Sequence, residues 1–303
     1  MKKALLLTST MTVLALASCG NKDKVENVRE IAYNGDTYEV TSDIKKAVVM
    51  DLGFLDIMDD LKVEVDVAIP DSTLPSYLSE YENNTKVGGL KTPNEEEIVK
   101  FEPDVIILGG RQSSYVEAFN KIAPTILLSQ NADEDAVEYV YKNLELAADL
   151  FNLSEDVLTS KKTAVEEKIA ETKALTSTSE DKALILLYNN SFSAYGSGSR
   201  FGIIHDVLGV KEADETIDVS THGQQMSPEQ LIALNPDRLF VVDRTVVVNG
   251  EEDSDLFKNS IYDNLAAKKN NKITYLDSVI WYTIGGGYQA TFNQIQEIYN
   301  AYK

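Results

Sequence analysis

Three of the five arginines in this 303-residue chain, Arg111, Arg200 and Arg244, stand where an apolar run or a glycine-rich loop gives out. A guanidinium is planar, permanently charged and carries several donors in a fixed fork, which suits a multiply charged oxyanion. Any one of them taken alone also fits a surface ion pair. Tyr282 could add a phenol oxygen; it follows Trp281, the only tryptophan, and precedes Gly285-Gly286-Gly287. Of the two histidines, His205 lies ahead of Val207 and Leu208 and reads as packed, whereas His222, in the loop Thr221-His222-Gly223-Gln224, is placed to donate to or ligate a bound group. These residues do not add up to catalysis. There is no nucleophile elbow, no His-Glu-x-x-His and no cysteine besides Cys19, so the chemistry on offer is binding. Two histidines also make a poor zinc or manganese receptor.

The elements that must position these groups repeat. Residues 229–244 match residues 96–111 at an offset of 133, with Glu96/Glu229, Pro103/Pro236, Asp104/Asp237 and Arg111/Arg244 identical. Each copy reads as a short helix, a Pro-Asp break, an apolar run short enough for a buried parallel strand, and then arginine. Each half thereby delivers an arginine to the carboxyl end of a strand, the edge where open α/β sheets bind ligands.

Around the repeat, Val28–Tyr33 and Thr37–Val40 flank Asn34-Gly35 and predict a hairpin. The N-terminal lobe then alternates: strand Ala47–Met50, helix Asp51–Leu61, strand Val65–Ile69, a loop with Pro70, Pro75, Tyr77 and Tyr81, the first repeat copy, helix Ser113–Ile122 and strand Thr125–Leu128. From Ser154 to about residue 175 there is neither Gly nor Pro, and Val157, Leu158, Ala164, Val165, Ile169 and Ala170 recur at helical spacing. With Ser154 as its cap this predicts one helix of about 33 Å spanning the two lobes. The second lobe opens with strand Ala183–Tyr188 and a Gly/Ser-rich loop, 193–202, that reads as a close approach to something, then helix Ile203–Leu208. It ends with strand Lys272–Leu276, a loop 281–288 and helix Gln289–Tyr302. The fold class is therefore α/β: two Rossmann-like lobes, 36–153 and 177–303, joined by the spanning helix 154–176.

Charge and the N-terminus bound the setting. A net charge of −21 argues against a nucleic-acid partner, which needs a basic face. Lys2-Lys3, an apolar run to Leu16 and then Leu16-Ala17-Ser18-Cys19 read as a lipoprotein signal peptide over 1–18, with Cys19 as the lipidated residue and 19–35 as a flexible tether. Losing Lys2 and Lys3 would take the net charge from −21 to −23. The expected product is exported and held on the outer face of a bacterial cell membrane through Cys19.

The lipobox, the duplicated helix-Pro-Asp-strand unit, the spanning helix and the series Arg111, Arg200, His222, Arg244, Tyr282 together resemble the substrate-binding lipoproteins of ferric catecholate siderophore ABC importers, the enterochelin and petrobactin type. The resemblance covers the whole mature chain. It implies a helical-backbone periplasmic-binding-protein fold, a monomer without cofactor or enzymatic activity, and a ferric siderophore ligand ringed by the three arginines beside Trp281. It further implies His222 and Tyr282 as direct Fe(III) ligands when the siderophore offers four oxygens. Glu96 and Glu229 would dock onto the two permease subunits, although acids early in a helix are also favoured by its dipole. A haem or hydroxamate receptor of the same fold is the alternative, separable by colour, since haem gives a Soret band and catecholate iron a broad charge-transfer band. An adhesin would need no converging arginines, and an enzyme would need an acid–base pair.

Overall fold

The computed structural model describes residues 27–131, 134–220, 222–250 and 256–303. The expected signal peptide, Cys19 and the first part of the tether lie outside the described residues. Strands β1 (Val28–Tyr33) and β2 (Asp36–Thr41) pair antiparallel about Asn34-Gly35. Ordered structure thus begins inside the stretch 19–35 read as tether: Ile31 and Tyr33 are buried, and Arg29 donates to the carbonyls of Asp149 and Leu150.

The N-terminal lobe carries β3 (Lys46–Val49), β4 (Asp66–Asp71), β5 (Lys86–Gly89), β6 (Thr92–Pro93), β7 (Val105–Leu108) and β8 (Thr125–Leu127), in spatial order β6-β5-β4-β3-β7-β8. The C-terminal lobe carries β9 (Lys182–Tyr188), β10 (Phe192–Tyr195), β11 (Lys211–Glu212), β12 (Gln224–Met226), β13 (Arg238–Asp243) and β14 (Ile273–Tyr275), in order β12-β10-β9-β13-β14 with β11 beside β9. The repeat's strands β7 and β13 are inner strands of parallel ladders, apolar on both faces as such strands must be. The Pro-Asp motif does the same work twice. The Asp104 carboxylate accepts the Lys45 and Lys46 amides at 2.7 and 2.9 Å, and Asp237 accepts the Lys182 amide at 3.0 Å, each tying the repeat strand to the start of its neighbour.

Alternate residues of each sheet enter different cores. Val48, Ile106 and Leu108 pack on the outer face of the first lobe, and Leu184, Leu239 and Val241 on the outer face of the second. The inward residues, among them Val49, Ile107, Ile185 and Phe240, belong to one continuous core that runs through both lobes. The spanning helix is Glu155–Thr176. Tyr141 donates to the Lys162 carbonyl at one end, and Thr176 donates to the Leu208 carbonyl at the other. Beside the first of these Lys161 pairs with Asp60 at 2.6 Å, and between them Lys168 lies 3.8 Å over the Tyr299 ring of the last helix, Tyr288–Tyr302.

Several local expectations are corrected. Ser154 takes the N-cap position, but its side chain makes no capping bond. Residues 113–122 split into a 3-10 turn, Gly110–Tyr115, and one short helical turn, Val116–Phe119. Ser76–Asn83 is 3-10 helix and Pro70 lies in β4. The Gly/Ser segment contributes its first residues to β10, and what the remainder approaches is its own lobe: Ser197 bonds Glu212, and the Gly198 amide donates to Asp206 at 2.8 Å. Helix Ala136–Phe151, set by an Asp135/Glu138 capping box, is an element the sequence reading lacked.

One carboxylate locks the last helix to the first lobe. Asp56, fully buried in helix Leu52–Asp60, accepts the Gln289 and Ala290 amides at 2.8 and 2.9 Å and the Tyr77 hydroxyl at 2.7 Å, so it caps a helix whose own N-cap, Gly287, has no side chain. Desolvation raises its pKa from 3.8 to about 7, against the lowering effect of those donors. The folded chain therefore holds this proton to higher pH than the unfolded chain, and the group's contribution to stability falls as pH rises from 3.8 through about 7. We expect the melting temperature of the wild type to decline relative to that of Asp56→Asn between pH 5 and pH 8; parallel profiles in thermal unfolding would contradict this.

Candidate functional site

The three arginines of the sequence meet at one residue. Arg111 follows β7 in a turn that Gln112 fixes, accepting the Gly109 amide at 3.0 Å and donating to the Leu90 carbonyl. Arg244 follows β13 as the first residue of helix Arg244–Asn249. Arg200 sits in the turn that Glu212 and Asp206 pin down. Arg111 Nη2 donates to the Tyr282 carbonyl across the lobes at 2.9 Å, and Arg200 Nη2 donates to the same oxygen. Arg244 Nε donates to the Tyr282 phenol oxygen at 2.7 Å, while its Nη1 donates to Asn189 Oδ1 at 2.7 Å. The Arg200 guanidinium also lies 4.3 Å over the Tyr282 ring.

Tyr282 can serve them because residues 281–288 are not all loop: Ser278–Thr283 is a helix, capped by Asp277 accepting the Ile280 amide at 3.0 Å. The last carbonyls of a helix have no intrahelical donor, so the Tyr282 carbonyl is open to the two guanidiniums, and cations favour that end. Two of the three glycines beyond it, Gly286 and Gly287, serve packing. A Cβ on Gly286, which has φ +73, would meet the Tyr139 ring at 2.5 Å, and one on Gly53 would meet the Gly285 carbonyl oxygen at 2.0 Å. Only glycine lets the loop lie against the first lobe's helices this closely.

Trp281 is buried, 4% exposed, and gives its indole N–H to Glu297 at 2.5 Å. It lines, with Asp51, Arg111, Tyr139 and Arg200, an inter-lobe cavity of about 220 Å³ that Arg244 does not reach. His222 is exposed in a turn next to Gly223, whose backbone abuts the Tyr195 ring. Among the described residues no bond joins His222 to the arginines or Tyr282, and none of the His, Cys, Asp and Glu groupings could hold a metal ion. His205 is packed as read, its Nδ1 within 2.8 Å of the Val210 carbonyl and its pKa lowered by desolvation. Arg238 lies outside the site, buried against Asp181 at 3.2 Å and the Ala301 carbonyl at 2.7 Å. Glu96 and Glu229 are exposed at the second residue of their helices, Glu95–Phe101 and Pro228–Leu234, one per lobe.

The charges act on one another. Desolvation lowers the Arg200 pKa and the Arg111 charge lowers it further, though a guanidinium keeps its proton in any case. Desolvation raises the Tyr282 phenol, but the Arg244 hydrogen bond and the charges of Arg244, Arg200 and Lys91 outweigh it, and its pKa ends below the ordinary tyrosine value. Asn189 and Lys91 were not found by sequence reasoning; neither carries a repeat or motif signal.

A site of three convergent cations on paired α/β lobes can be set against known proteins. Residues 48–280 match the family model described as periplasmic binding protein. The chain belongs to that family. Among its curated relatives is the petrobactin-binding protein of Bacillus subtilis, 35% identical with 98% of each chain covered. That protein's crystal structure superposes with a TM-score of 0.85 at 34% identity, covering 91% of this chain and 99% of the other. The ferric-anguibactin-binding protein of Vibrio anguillarum is 30% identical over 86% of this chain and 83% of its own. The periplasmic catecholate-siderophore binding protein of Vibrio cholerae has a TM-score of 0.81 at 27% identity, covering 89% and 99%. These are binding proteins, and this periplasmic binding protein is a receptor rather than an enzyme.

In an alkaline titration followed by ultraviolet absorbance, we expect the wild type minus Tyr282→Phe difference to reveal one phenol ionising ahead of the ordinary tyrosine range. Arg244→Ala should move that step upward, because desolvation remains when the main lowering influence is gone; an unmoved step would exclude the Arg244 bond as its cause.

Proposed function

We propose that this chain is the extracytoplasmic receptor of an ABC iron importer, anchored through lipid on Cys19, and that it binds a ferric catecholate siderophore between its lobes as a monomer. The observation that carries this reading is the convergence of Arg111, Arg200 and Arg244, from three separate elements, on the oxygens of Tyr282. A ferric tris-catecholate carries three negative charges, and a guanidinium about 4 Å away attracts one of them by ~4 kcal/mol at an effective dielectric near 20. The acidic body repels such a ligand only weakly at distance, since physiological salt screens charges beyond about 8 Å. Neutral ferric hydroxamates gain little from three fixed cations, which favours the catecholate reading over its alternative. The names of the relatives, which bind petrobactin, anguibactin and catecholate siderophores, point the same way.

Trp281 belongs to the site as the buried neighbour of Tyr282, so its fluorescence reports on occupancy. His222 and Tyr282 are the proposed Fe(III) ligands for a siderophore that offers four oxygens, the phenol assisted by its lowered pKa and the imidazole supplied from the exposed turn. We expect Arg111→Ala or Arg244→Ala to weaken a ferric tris-catecholate and a ferric bis-catecholate alike, by about 1.5–3 kcal/mol each, the size of a charged hydrogen bond. Substituting His222 and Tyr282 together should weaken the bis-catecholate far more than the tris-catecholate. Tryptophan quenching measures both, and unchanged affinity in the two arginine variants would sink the model.

The exposed Glu96 and Glu229 are the proposed contacts to two permease subunits. Glu96→Arg with Glu229→Arg should abolish iron uptake while leaving ligand affinity within about 0.5 kcal/mol, as expected for surface changes away from a site. Normal uptake by cells carrying only the double variant would leave the two acids as helix-start residues.

A further inference from the structure

Each guanidinium proposed to bind the ligand already has an oxygen acceptor inside the chain, and one residue supplies an acceptor to all three. Arg111 and Arg200 share the carbonyl of Tyr282, and Arg244 holds its phenol at 2.7 Å. We propose that Tyr282 is an internal mimic of the ligand's oxygens, and that binding is an exchange in which anionic oxygens take Arg111, Arg200 and Arg244 from the carbonyl and phenol of Tyr282. This builds on the reading of the three arginines as the ligand site.

Three features support the exchange. First, two like charges share one neutral oxygen between Arg111 and Arg200, an arrangement that repulsion disfavours and that an anionic oxygen would relieve. Second, the arginines need no search to reach a binding geometry. Gln112 fixes the turn of Arg111, and Asn189 holds Arg244 Nη1 at 2.7 Å, independently of Tyr282. Asn189 is thus a positioning residue that keeps Arg244 aimed when the phenol is displaced. Third, the Tyr282 ring lies 4.3 Å beneath Arg200, a stacking contact that survives loss of the hydrogen bonds.

The exchange also determines specificity. A ligand shifts an equilibrium only by what it gains over the contacts it replaces. An amide oxygen, or an oxygen of an uncharged tris-hydroxamate complex, offers the guanidiniums little beyond what the Tyr282 carbonyl already gives, whereas an oxygen of a trianionic tris-catecholate complex gives more. The cleft therefore selects for net negative charge on the complex, besides size and denticity.

Two resonances report the exchange directly. Tyr-Thr occurs once in the chain, at 282–283, so protein labelled with carbonyl-13C tyrosine and 15N threonine yields a single carbonyl–nitrogen peak for the Tyr282 carbonyl. With five arginines, the Arg244 Nε–Hε peak can be assigned by single substitution. The probes are gallium(III) tris-catecholate, diamagnetic and coordinatively complete, and neutral gallium(III) tris-acetohydroxamate. The proposal expects the Tyr282 carbonyl peak and the Arg244 peak to move with the catecholate and to stay with the hydroxamate. Tyr282→Phe should shift the Arg244 peak in the free protein but not in the complex, and should bind gallium tris-catecholate about two- to tenfold more tightly, since a competing acceptor of ordinary strength is gone. Asn189→Ala should weaken the same complex while leaving the Tyr282 carbonyl peak of the free protein in place. An unmoved Tyr282 carbonyl while the arginine peaks respond to the catecholate would overturn the exchange and leave the binding-site reading intact. No arginine response to either probe would remove that reading, and the exchange with it.

Discussion

Three guanidiniums brought within reach of one residue repel one another, and much of the fold serves to hold them there. Strand β7 and strand β13 deliver two of them from separate sheets, and a carboxylate-pinned turn delivers the third. Surface arginines relax apart, but these have little such freedom. Arg111 follows a glycine turn clamped by Gln112, Arg244 heads a helix capped by Asp243 and bonds Asn189, and Arg200 stacks on a tyrosine ring. The repulsion is contained by geometry and offset by the oxygens of Tyr282, whose place at a helix end makes its carbonyl available.

Holding such charges apart at fixed spacing requires lobes that do not drift. Paired α/β lobes on a flexible linker would let the cleft widen until the charges relaxed. Here the inward faces of both sheets share one core, the spanning helix bonds to both lobes, and Asp56 of the first lobe caps the last helix of the second. The close passage of Gly285 and Gly286 against Gly53 and Tyr139 removes the space in which a side chain would act as a wedge.

What the sequence made legible follows from what was duplicated. The repeat placed Arg111 and Arg244 because strand ends, Pro-Asp breaks and apolar runs leave local signatures, and the Pro-Asp pair proves to be a stitch between neighbouring strands. Hairpin, spanning helix and closing helix were readable from turn chemistry and periodicity. Contacts made only in three dimensions were not readable. Asn189 and Lys91 carry no periodic or motif signal, and the second half of the helix Ser278–Thr283 fell in the stretch 281–288, whose glycines suggested loop. Ala136–Phe151 had an Asp135/Glu138 capping box to announce it and could have been found. Val157 and Ala170 helped to mark the spanning helix although they face solvent, since in a long helix exposed on one side apolar spacing does not imply burial. The sequence singled out Tyr282 for its phenol; that its backbone carbonyl engages two arginines has no counterpart in residue type, since every residue has a carbonyl.

The shared core carries a further consequence, for resistance to proteolysis. A two-lobed protein whose lobes have separate cores can open one lobe while the other stays folded, and each partial opening exposes chain to proteases. Here the core that contains Val49 and Ile107 also contains Ile185 and Phe240, so melting either lobe uncovers apolar surface of the other. Partial unfolding then costs more than it would with wholly separate cores, which favours joint melting of the two lobes. A receptor built this way resists cleavage through scarcity of half-open states, at an overall stability that can remain ordinary.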